Sequence, residues 1–288
     1  MKNYIEFCNE QAEKLFQIID THEGLLKWRK TWNVQGSLSL PRSENGYYNG
    51  VNLWSLLHTQ ISRGLVSDTW LTFNQVKQQG GHVLKGAKGQ KVCFFKIKEV
   101  EAEEMSDEDK HKLVPIFRLY TVFNLDQTSL VRQNTEISQL PEKFQMLLTK
   151  LGVTISEFGN RAFFNPLEDV IVMPKREFFN SSQDYDTTLL HELVHWSGHE
   201  TRLNRESLVE CMSSDADRAE EELVAEIGSV FLSSYFGISG DLVNHASYVA
   251  SWKKWLNGKI VGRAMSQASK AFIWLITQVD DQKIEAAA

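Results

Sequence analysis

His191-Glu192-Leu193-Val194-His195 decides the fold of the C-terminal half of this chain, because the pattern HExxH carries chemistry when it lies on an α-helix. Residues four apart share one helix face, so both imidazoles can bind one metal ion. Glu192, between them, can serve as general base on a water molecule at that ion. Two neutral imidazoles, a carboxylate and an open position suit zinc, which is therefore the expected ion, with Mn²⁺ as the alternative.

The residues around the motif predict a short, largely buried helix. Asp184 and the run Asp186-Thr187-Thr188 offer N-cap side chains just ahead of apolar positions. Gly198 is a natural helix end. The sequence therefore predicts a helix that starts near Asp184 and stops shortly after His195.

A catalytic metal site needs a third protein ligand, and the sequence offers two patterns for it. In the arrangement HExxHxxGxxH a third histidine follows the glycine, but Thr201 occupies that position here. This pattern is therefore disfavoured, and His199 is expected to be a helix-end or loop residue.

The second pattern takes the ligand from another helix, predicted over residues 219–229. Glu222 is the expected third ligand, and Glu226, one turn on, is expected to hydrogen-bond the outer nitrogen of a ligating histidine. The alternative is a solvated acidic helix start, which suits Glu220 and Glu221. Small residues should let this helix approach the HExxH helix closely: Ala225, Gly228 and Ser229.

Length and composition indicate a globular protein of one large domain or two ordinary ones. The chain has 288 residues, of which 42% are hydrophobic and 24% charged. Its apolar runs are too short for a membrane span, and its N-terminus lacks the layout of a signal peptide. Cys8, Cys93 and Cys211 form no framework, so we expect buried free thiols and a cytoplasmic location, without a membrane partner.

Charge divides the chain into two parts. Residues 1–98 carry a net charge of +6, whereas the remainder carries −12. The acidic run from Glu99 to Lys112 is expected to be an exposed hairpin tip or insertion, and Gln127 to Pro141 is polar and aperiodic. We therefore predict a first domain over 1–128, a linker over 129–141 and a second domain over 142–288.

The N-terminal half combines an amphipathic helix over Tyr4–Asp20 with interleaved aromatic and basic residues. Its glycine-rich basic stretch, Gly80 to Lys91, leads into a predicted strand from Val92 to Lys98. Glycines allow a close backbone approach, lysines can meet phosphates, and exposed aromatic rings can stack on unpaired bases. Tryptophans more often lie in a core, so this pattern alone is a weak signal. The candidate DNA-binding residues are Tyr47, Tyr48, Asn52, Trp70, Lys85, Lys88 and Lys91.

A resemblance to a known family covers nearly the whole chain. The N-terminal domain of the ArdC antirestriction family resembles this sequence at Tyr47–Asn52, Thr69–Gln75, Gly80–Gly86 and Val122–Gln127. The C-terminal metallopeptidase domain of that family resembles it at Leu190–His199, Glu221–Gly228 and His245–Tyr248. The motifs follow one another in the family's order.

The resemblance implies an α+β protein of two domains. The first would be a basic α+β domain that binds single-stranded DNA. The second would be a mainly helical, zincin-like metallopeptidase domain with a small sheet. The family occurs on conjugative plasmids and other mobile elements, so the resemblance also implies a role in protecting incoming DNA from host restriction.

The expected mechanism uses residues on both sides of the HExxH helix. A hairpin of 161–164 and 170–173 precedes it, and Val170–Met173 is the candidate edge strand for an extended substrate. His245 or Tyr248 is the candidate donor to the oxyanion, although both can also be packing residues. The last helix, Arg263 to Val279, is expected to be structural.

Three hypotheses remain open from the sequence. In the first, DNA binding localises a metallopeptidase that cleaves a host protein. In the second, coating of single-stranded DNA does the work and the metal site is structural. The third, a metal-dependent nuclease, is the weakest, because nuclease sites favour clustered carboxylates and Mg²⁺.

Overall fold

The computed structural model describes residues 3–20, 40–101, 111–131, 140–210, 214–238 and 253–279. In the N-terminal half these form helices α1 (Tyr4–Asp20), α2 (Gly50–Arg63) and α3 (Phe73–Gln78). The strands of this half are β1 (Arg42–Ser43), β2 (Gly46–Tyr47), β3 (Trp70–Thr72), β4 (Gln90–Glu101) and β5 (His111–Asn124). A 3-10 turn, Leu125–Gln127, follows β5. The predicted first helix is confirmed with the same limits.

An antiparallel sheet of order β3-β5-β4 forms the centre of this half, beside the small β1–β2 hairpin. Strands β4 and β5 pair continuously from Gln90 opposite Val122 to Glu101 opposite His111. The two ends of the acidic run therefore lie in a long hairpin, and residues 102–110, where the exposed tip is expected, lie outside the described residues. Strand β4 starts two residues before the predicted strand and extends beyond it.

Local sequence explains where the short elements of this half begin and end. Helix α3 starts with a capping box, in which the Thr72 hydroxyl and the Gln75 side chain bond each other's backbone N–H groups. Helix α2 ends at Gly64, whose φ of 63° lies in the left-handed region that glycine adopts without strain.

The C-terminal half contains helices α4 (Leu140–Leu151), α5 (Ser182–Ser197), α6 (Glu206–Glu210), α7 (Asp215–Phe236) and α8 (Gly258–Ile276). Its strands are β6 (Thr154–Glu157), β7 (Phe163–Asn165) and β8 (Val170–Met173), and 3-10 turns lie at Arg176–Phe178 and Lys253–Trp255. This half is mainly helical with a small sheet, as the resemblance implied.

The small sheet has the order β6-β8-β7, with β6 parallel and β7 antiparallel to β8. The predicted hairpin is confirmed, but the prediction that Val170–Met173 is an edge strand is wrong. Thr154–Glu157, which precedes the hairpin, pairs with the other side of β8 and makes it the central strand. Strand β7 is the edge strand that packs against α5.

A single hydrophobic core runs through both halves of the described chain. Helix α8 packs against α5 and α7 and also against α1 and α2. Glycines make the contact with α1 close: a Cβ on Gly262 would lie 2.8 Å from the Cys8 sulfur, and one on Gly258 would overlap Asn9. The last helix packs in the core and joins the two halves, and its limits, Gly258–Ile276, lie five and three residues before the predicted ones, Arg263 and Val279.

Cys8 and Cys93 are buried free thiols, as expected, and Cys211 lies outside the described residues. Among the described helices, none combines the length and the apolar character that a bilayer crossing requires.

Candidate functional site

Helix α5, which we call the active helix, carries the HExxH motif. It starts earlier than predicted, because its N-cap is Ser181, whose hydroxyl accepts a hydrogen bond of 3.1 Å from the Asp184 amide. Asp184 and Asp186 therefore lie inside the first turns. The helix ends at Gly198, as predicted, so His191 and His195 occupy its last two turns.

Helix α7, which we call the glutamate helix, lies directly against the active helix. Gly228 permits this approach, because a Cβ there would lie 2.8 and 2.9 Å from the two methyl groups of Val194. The expectation that small residues bring the two helices together is confirmed for Gly228. Glu222, two turns before Gly228, consequently reaches the face of the active helix that carries both histidines.

The structure brings His191, His195 and Glu222 together. The two Nε2 atoms of His191 and His195 are 3.2 Å apart. Oε2 of Glu222 lies 3.6 Å from Nε2 of His191 and 3.9 Å from Nε2 of His195. Each residue offers one ligand atom, and these three atoms lie within 4.8 Å of one another. Within the described part of the chain, these are the His, Cys, Asp or Glu side chains that lie close enough together, in a group of at least three, to hold a metal ion.

These separations fit a small divalent cation. Ligand atoms bound tetrahedrally at about 2.0–2.1 Å lie about 3.3 Å from one another. The three observed separations are close to that value, and the ligand atoms are two imidazole nitrogens and one carboxylate oxygen. Both histidines are buried and Glu222 is partly exposed, so the cluster opens to solvent on the Glu222 side.

Glu192 and Glu226 flank the cluster. Glu192 is buried on the active helix and is close enough to His195 for its charge to raise the pKa of that imidazole. Oε1 of Glu226 lies 3.5 Å from Nδ1 of His191, at the outer limit of hydrogen-bonding distance. Glu226 therefore lies where the sequence placed it, beside the outer nitrogen of a histidine.

Glu221 is a member of the site that the sequence reasoning missed. Its sequence position suits a solvated helix start, but Glu221 is only 2% exposed, and Nδ1 of His195 lies 2.9 Å from its Oε1. A periodic signal could have found it, because Glu221 shares a helical stripe with Ala225 and Gly228. Glu220 is buried too, in an ion pair with Arg263.

Charge interactions perturb the ionisation of the cluster. Burial disfavours the charged form of His195, but the hydrogen bond to Glu221 and the nearby carboxylates outweigh it and raise the pKa of His195 to about 9. Burial would raise the pKa of Glu222, yet the two histidines lower it. The cluster is thus an anionic environment that favours a cation.

The turn of the β7–β8 hairpin is fastened to the residues that follow the active helix. Nε2 of His199 lies 3.2 Å from the Pro166 carbonyl oxygen, and the Arg202 guanidinium pairs with Asp169. Arg202 also stacks on the Trp196 ring, 3.7 Å from its centroid. His199 is a residue of the helix end, as expected, and it contributes to holding edge strand β7 beside the active helix.

The remaining predicted site residues have different surroundings. His245 and Tyr248 lie outside the described residues. Tyr48, Asn52 and Trp70 are buried, so the expectation that their side chains are exposed to bases is wrong. Trp70 donates a hydrogen bond to Gln60, and Asn52 bonds the backbone of Cys93; both therefore belong to the core.

The basic loop, Gly80 to Lys91, keeps its three lysines exposed: Lys85, Lys88 and Lys91. Hydrogen bonds fasten it to its neighbours, since Gln127 and Arg63 both donate to the Lys88 carbonyl, and the Leu84 amide bonds the Gln127 carbonyl at 2.9 Å. Tyr47 is half-buried against Phe272. Among the described residues of this half, the exposed aromatic side chains are Phe73 and Tyr120.

Comparison with known proteins matches two family models to this chain. Residues 9–123 match the N-terminal domain of anti-restriction factor ArdC, and residues 142–270 match a zincin-like metallopeptidase. The crystal structure of the metal-free antirestriction ArdC protein from plasmid R388 is 33% identical, with a TM-score of 0.74, over 94% of this chain and 97% of that one.

This chain belongs to the ArdC antirestriction family. The Mn(II)-bound crystal structure of the R388 ArdC protein is 30% identical, with a TM-score of 0.71, and covers 98% of this chain and all of that one. A Sinorhizobium fredii protein, Uncharacterized protein y4eC, is 30% identical over 92% of this chain and 91% of its own length.

Longer proteins contain a region similar to this ArdC-family chain. Two Escherichia coli proteins named DNA primase TraC are each 32% identical to it, over 90% and 86% of the chain. The chain spans only 19% and 25% of the length of these relatives.

Proposed function

We propose that this chain protects incoming DNA from host restriction by joining a single-stranded-DNA-binding half to a metal-dependent peptidase half, and that it acts in the cytoplasm. The observation that carries the proposal is the convergence of His191, His195 and Glu222 from two helices, with ligand atoms within 4.8 Å of one another. Membership of the ArdC family supports the antirestriction role. A Mn(II)-bound form of the R388 ArdC protein supports a divalent cation.

His191, His195 and Glu222 would hold the cation. Zinc is the proposed ion because of the ligand set, and Mn²⁺ is the alternative. When bound, the cation would lower the pKa of a water molecule at the site and polarise a substrate carbonyl. Glu226 would assist by holding the His191 ring through its outer nitrogen.

Glu192 is the proposed general base and acid. Its carboxylate would take a proton from the attacking water and later deliver that proton to the leaving amine. Its burial supports this role, since a carboxylate shielded from bulk water exchanges protons with the substrate rather than with solvent. His245 and Tyr248 remain the proposed oxyanion donors.

Strand β7 is the proposed seat of an extended peptide substrate. An edge strand offers unpaired backbone groups to a further strand, and β7 is the edge that packs against the active helix. Phe163 is exposed on this strand and offers an apolar contact to substrate side chains. The substrate would be a host protein.

The basic loop is the proposed contact to single-stranded DNA. Lys85, Lys88 and Lys91 would meet backbone phosphates, and Arg63 beside them adds a further exposed cation. Phe73 and Tyr120 replace the buried Tyr48 and Trp70 as candidates for stacking on unpaired bases. Tyr47 remains a candidate at the edge of the core.

The experiment is an assay of plasmid establishment in a restricting host, with variants matched by site. Glu192→Gln should abolish protection, about a 100-fold or greater loss as expected for removal of a catalytic acid–base group, while metal and DNA binding persist. The double variant Lys85→Glu, Lys88→Glu should weaken DNA binding and lower its salt slope by about 0.7 for each lost contact. Lys150→Glu, Lys270→Glu, exposed in the other half, is the charge-matched control.

The competing function, coating of DNA by a protein whose metal site is structural, predicts the opposite result at the active helix. Full protection by Glu192→Gln, together with lost protection in the lysine variant, would reject the peptidase and support coating. DNA cleavage that depends on His191 would instead support a nuclease.

A further inference from the structure

After the active helix ends, the chain folds back so that Arg205 lies against the C-terminal end of that helix. The Leu203 amide bonds the Ser197 carbonyl at 3.1 Å, and the Arg205 amide bonds the Gly198 carbonyl at 2.8 Å. The Arg205 side chain is only 1% exposed. A buried guanidinium needs a fixed set of partners, and those partners identify its role.

Arg205 is bound almost entirely by the two helices of the metal cluster. Its Nε donates to Oε2 of Glu221 at 2.7 Å, and one terminal nitrogen donates to Oε1 of Glu221 at 2.6 Å. The same nitrogen donates to the Val194 carbonyl at 2.8 Å, inside the HExxH motif. This two-pronged geometry fixes the plane of the Glu221 carboxylate.

Ser207 and His195 complete the coordination of that carboxylate. The Ser207 hydroxyl donates to Oε2 of Glu221 at 2.6 Å, and Nδ1 of His195 donates to Oε1 at 2.9 Å. An acceptor at Nδ1 places the proton on that nitrogen and leaves Nε2, on the opposite side of the ring, toward His191 and Glu222.

We propose that Arg205, Glu221 and Ser207 form a positioning unit that sets the ring orientation of His195 and keeps a proton on its Nδ1 before any metal ion arrives. The proposal rests on the metal site of the proposed function, but it concerns the buried residues behind that site. On the other ligating histidine, Oε1 of Glu226 lies 3.5 Å from Nδ1 of His191.

Gly198 belongs to the same arrangement. Its φ of −80° and ψ of −9° suit any residue, so backbone freedom does not explain a glycine here. The lack of space explains it, because a Cβ at this position would lie 2.5 and 2.6 Å from two atoms of the Arg205 guanidinium. The guanidinium cannot retreat without giving up its bonds to Glu221 and Val194.

The test uses the full chain, with Zn²⁺ and Mn²⁺ as probes in competition with a chromogenic chelator. Glu221→Gln and Gly198→Ala should each weaken metal affinity by about 10–100-fold, as loss of a partner behind a ligating histidine does. Glu220→Gln, one residue away and paired with Arg263 rather than His195, is the matched control and should bind as wild type. Gly198→Ala retains both charges, so it carries the test if Glu221→Gln fails to fold.

A second readout separates positioning from general stability. In metal-free protein, nitrogen-detected NMR should show a strongly hydrogen-bonded Nδ1–H on His195 in the wild type and in Glu220→Gln, and a weakened bond in Glu221→Gln, because a neutral amide oxygen is a poorer acceptor than a carboxylate. Folded variants with unchanged metal affinity and an unchanged His195 signal would overturn the proposal. If the wild type binds neither ion, the metal site itself is wrong, and the NMR signal alone then decides whether Glu221 positions His195.

Discussion

Outside the metal cluster, the fold strongly perturbs the titration of His58. Its imidazole stacks on Trp54, and burial, reinforced by the charges of Lys14 and Arg63, lowers its pKa from 6.5 to about 4. The folded state therefore binds fewer protons than the unfolded state between these values. The contribution of neutral His58 to the unfolding free energy is fully present above pH 6.5 and is lost as the pH falls toward 4.

Replacing His58 tests this sign. We expect His58→Gln to flatten the pH dependence of the unfolding free energy between pH 6.5 and 4, by about 1–3 kcal/mol after allowance for partial exposure. Urea unfolding at several pH values measures it, with His82→Gln, on the exposed basic loop, as the control. A variant whose pH dependence equals that of the wild type would show that His58 titrates normally.

For single residues, the sequence predicted the features of the site that depend on local spacing along a helix. His191, Glu192 and His195 lie four residues or fewer apart, so helix geometry alone brings them to one face. The bond between His195 and Glu221 spans 26 residues, and its partner Arg205 has no pattern of its own. Trp70 is buried, contrary to the prediction, because a composition rich in aromatic and basic residues does not reveal which rings are buried.

The packing of the active helix on the glutamate helix is the decisive contact between elements. Replacing Gly228 with alanine would stabilise the glutamate helix by up to about 1 kcal/mol, because alanine has the higher helix propensity. The added methyl group, however, would lie 2.8 Å from a Val194 methyl, and such overlap in a core costs about 1–3 kcal/mol. The glutamate helix also carries Glu222, so separation of the helices disturbs the metal ligands.

We therefore expect Gly228→Ala to lower both the unfolding free energy and the metal affinity. Val194→Ala in the same chain should recover part of the metal affinity, because it removes the two clashing methyl groups. A double-mutant cycle with urea unfolding and metal titration measures this coupling. Additive effects of the two substitutions would mean that the helices do not meet at this point.

Sheet order is the element-level feature that the sequence did not predict. The β7–β8 hairpin could be read from a turn at Asn165-Pro166 between two apolar runs. The pairing of β6 with β8 is parallel and joins strands that are not consecutive, so no turn signals it. The edge strand beside the active helix is therefore Phe163–Asn165, and not Val170–Met173 as predicted.

At the scale of the whole molecule, helix α8 makes one core out of two sequence regions of opposite charge. The charge asymmetry and the resemblance predicted a two-domain layout, and the family matches agree with it. Neither indicated that the last helix packs on the first, because that contact joins residues about 250 positions apart, such as Asn9 and Gly258.

This contact predicts cooperative unfolding of the two halves. Gly258→Ala places a methyl group within 2.9 Å of the Asn9 Cα, so α1 and α8 must separate. We expect Gly258→Ala to lower the midpoint of unfolding and to keep a single transition, which hydrogen exchange should detect in both α2 and α7. Lys259→Ala, at the next position, should have little effect. Two independent transitions, with α2 unchanged in Gly258→Ala, would show that the halves fold separately.

We propose that His191, His195 and Glu222 hold one divalent cation between two helices. Titration of the purified full chain with Zn²⁺, followed by calorimetry, tests it most directly. We predict one site per chain, absent in His191→Ala and at least about tenfold weaker in Glu222→Gln, with Glu220→Gln equal to the wild type. Undiminished binding in both His191→Ala and Glu222→Gln, or no binding by the wild type, would contradict the account.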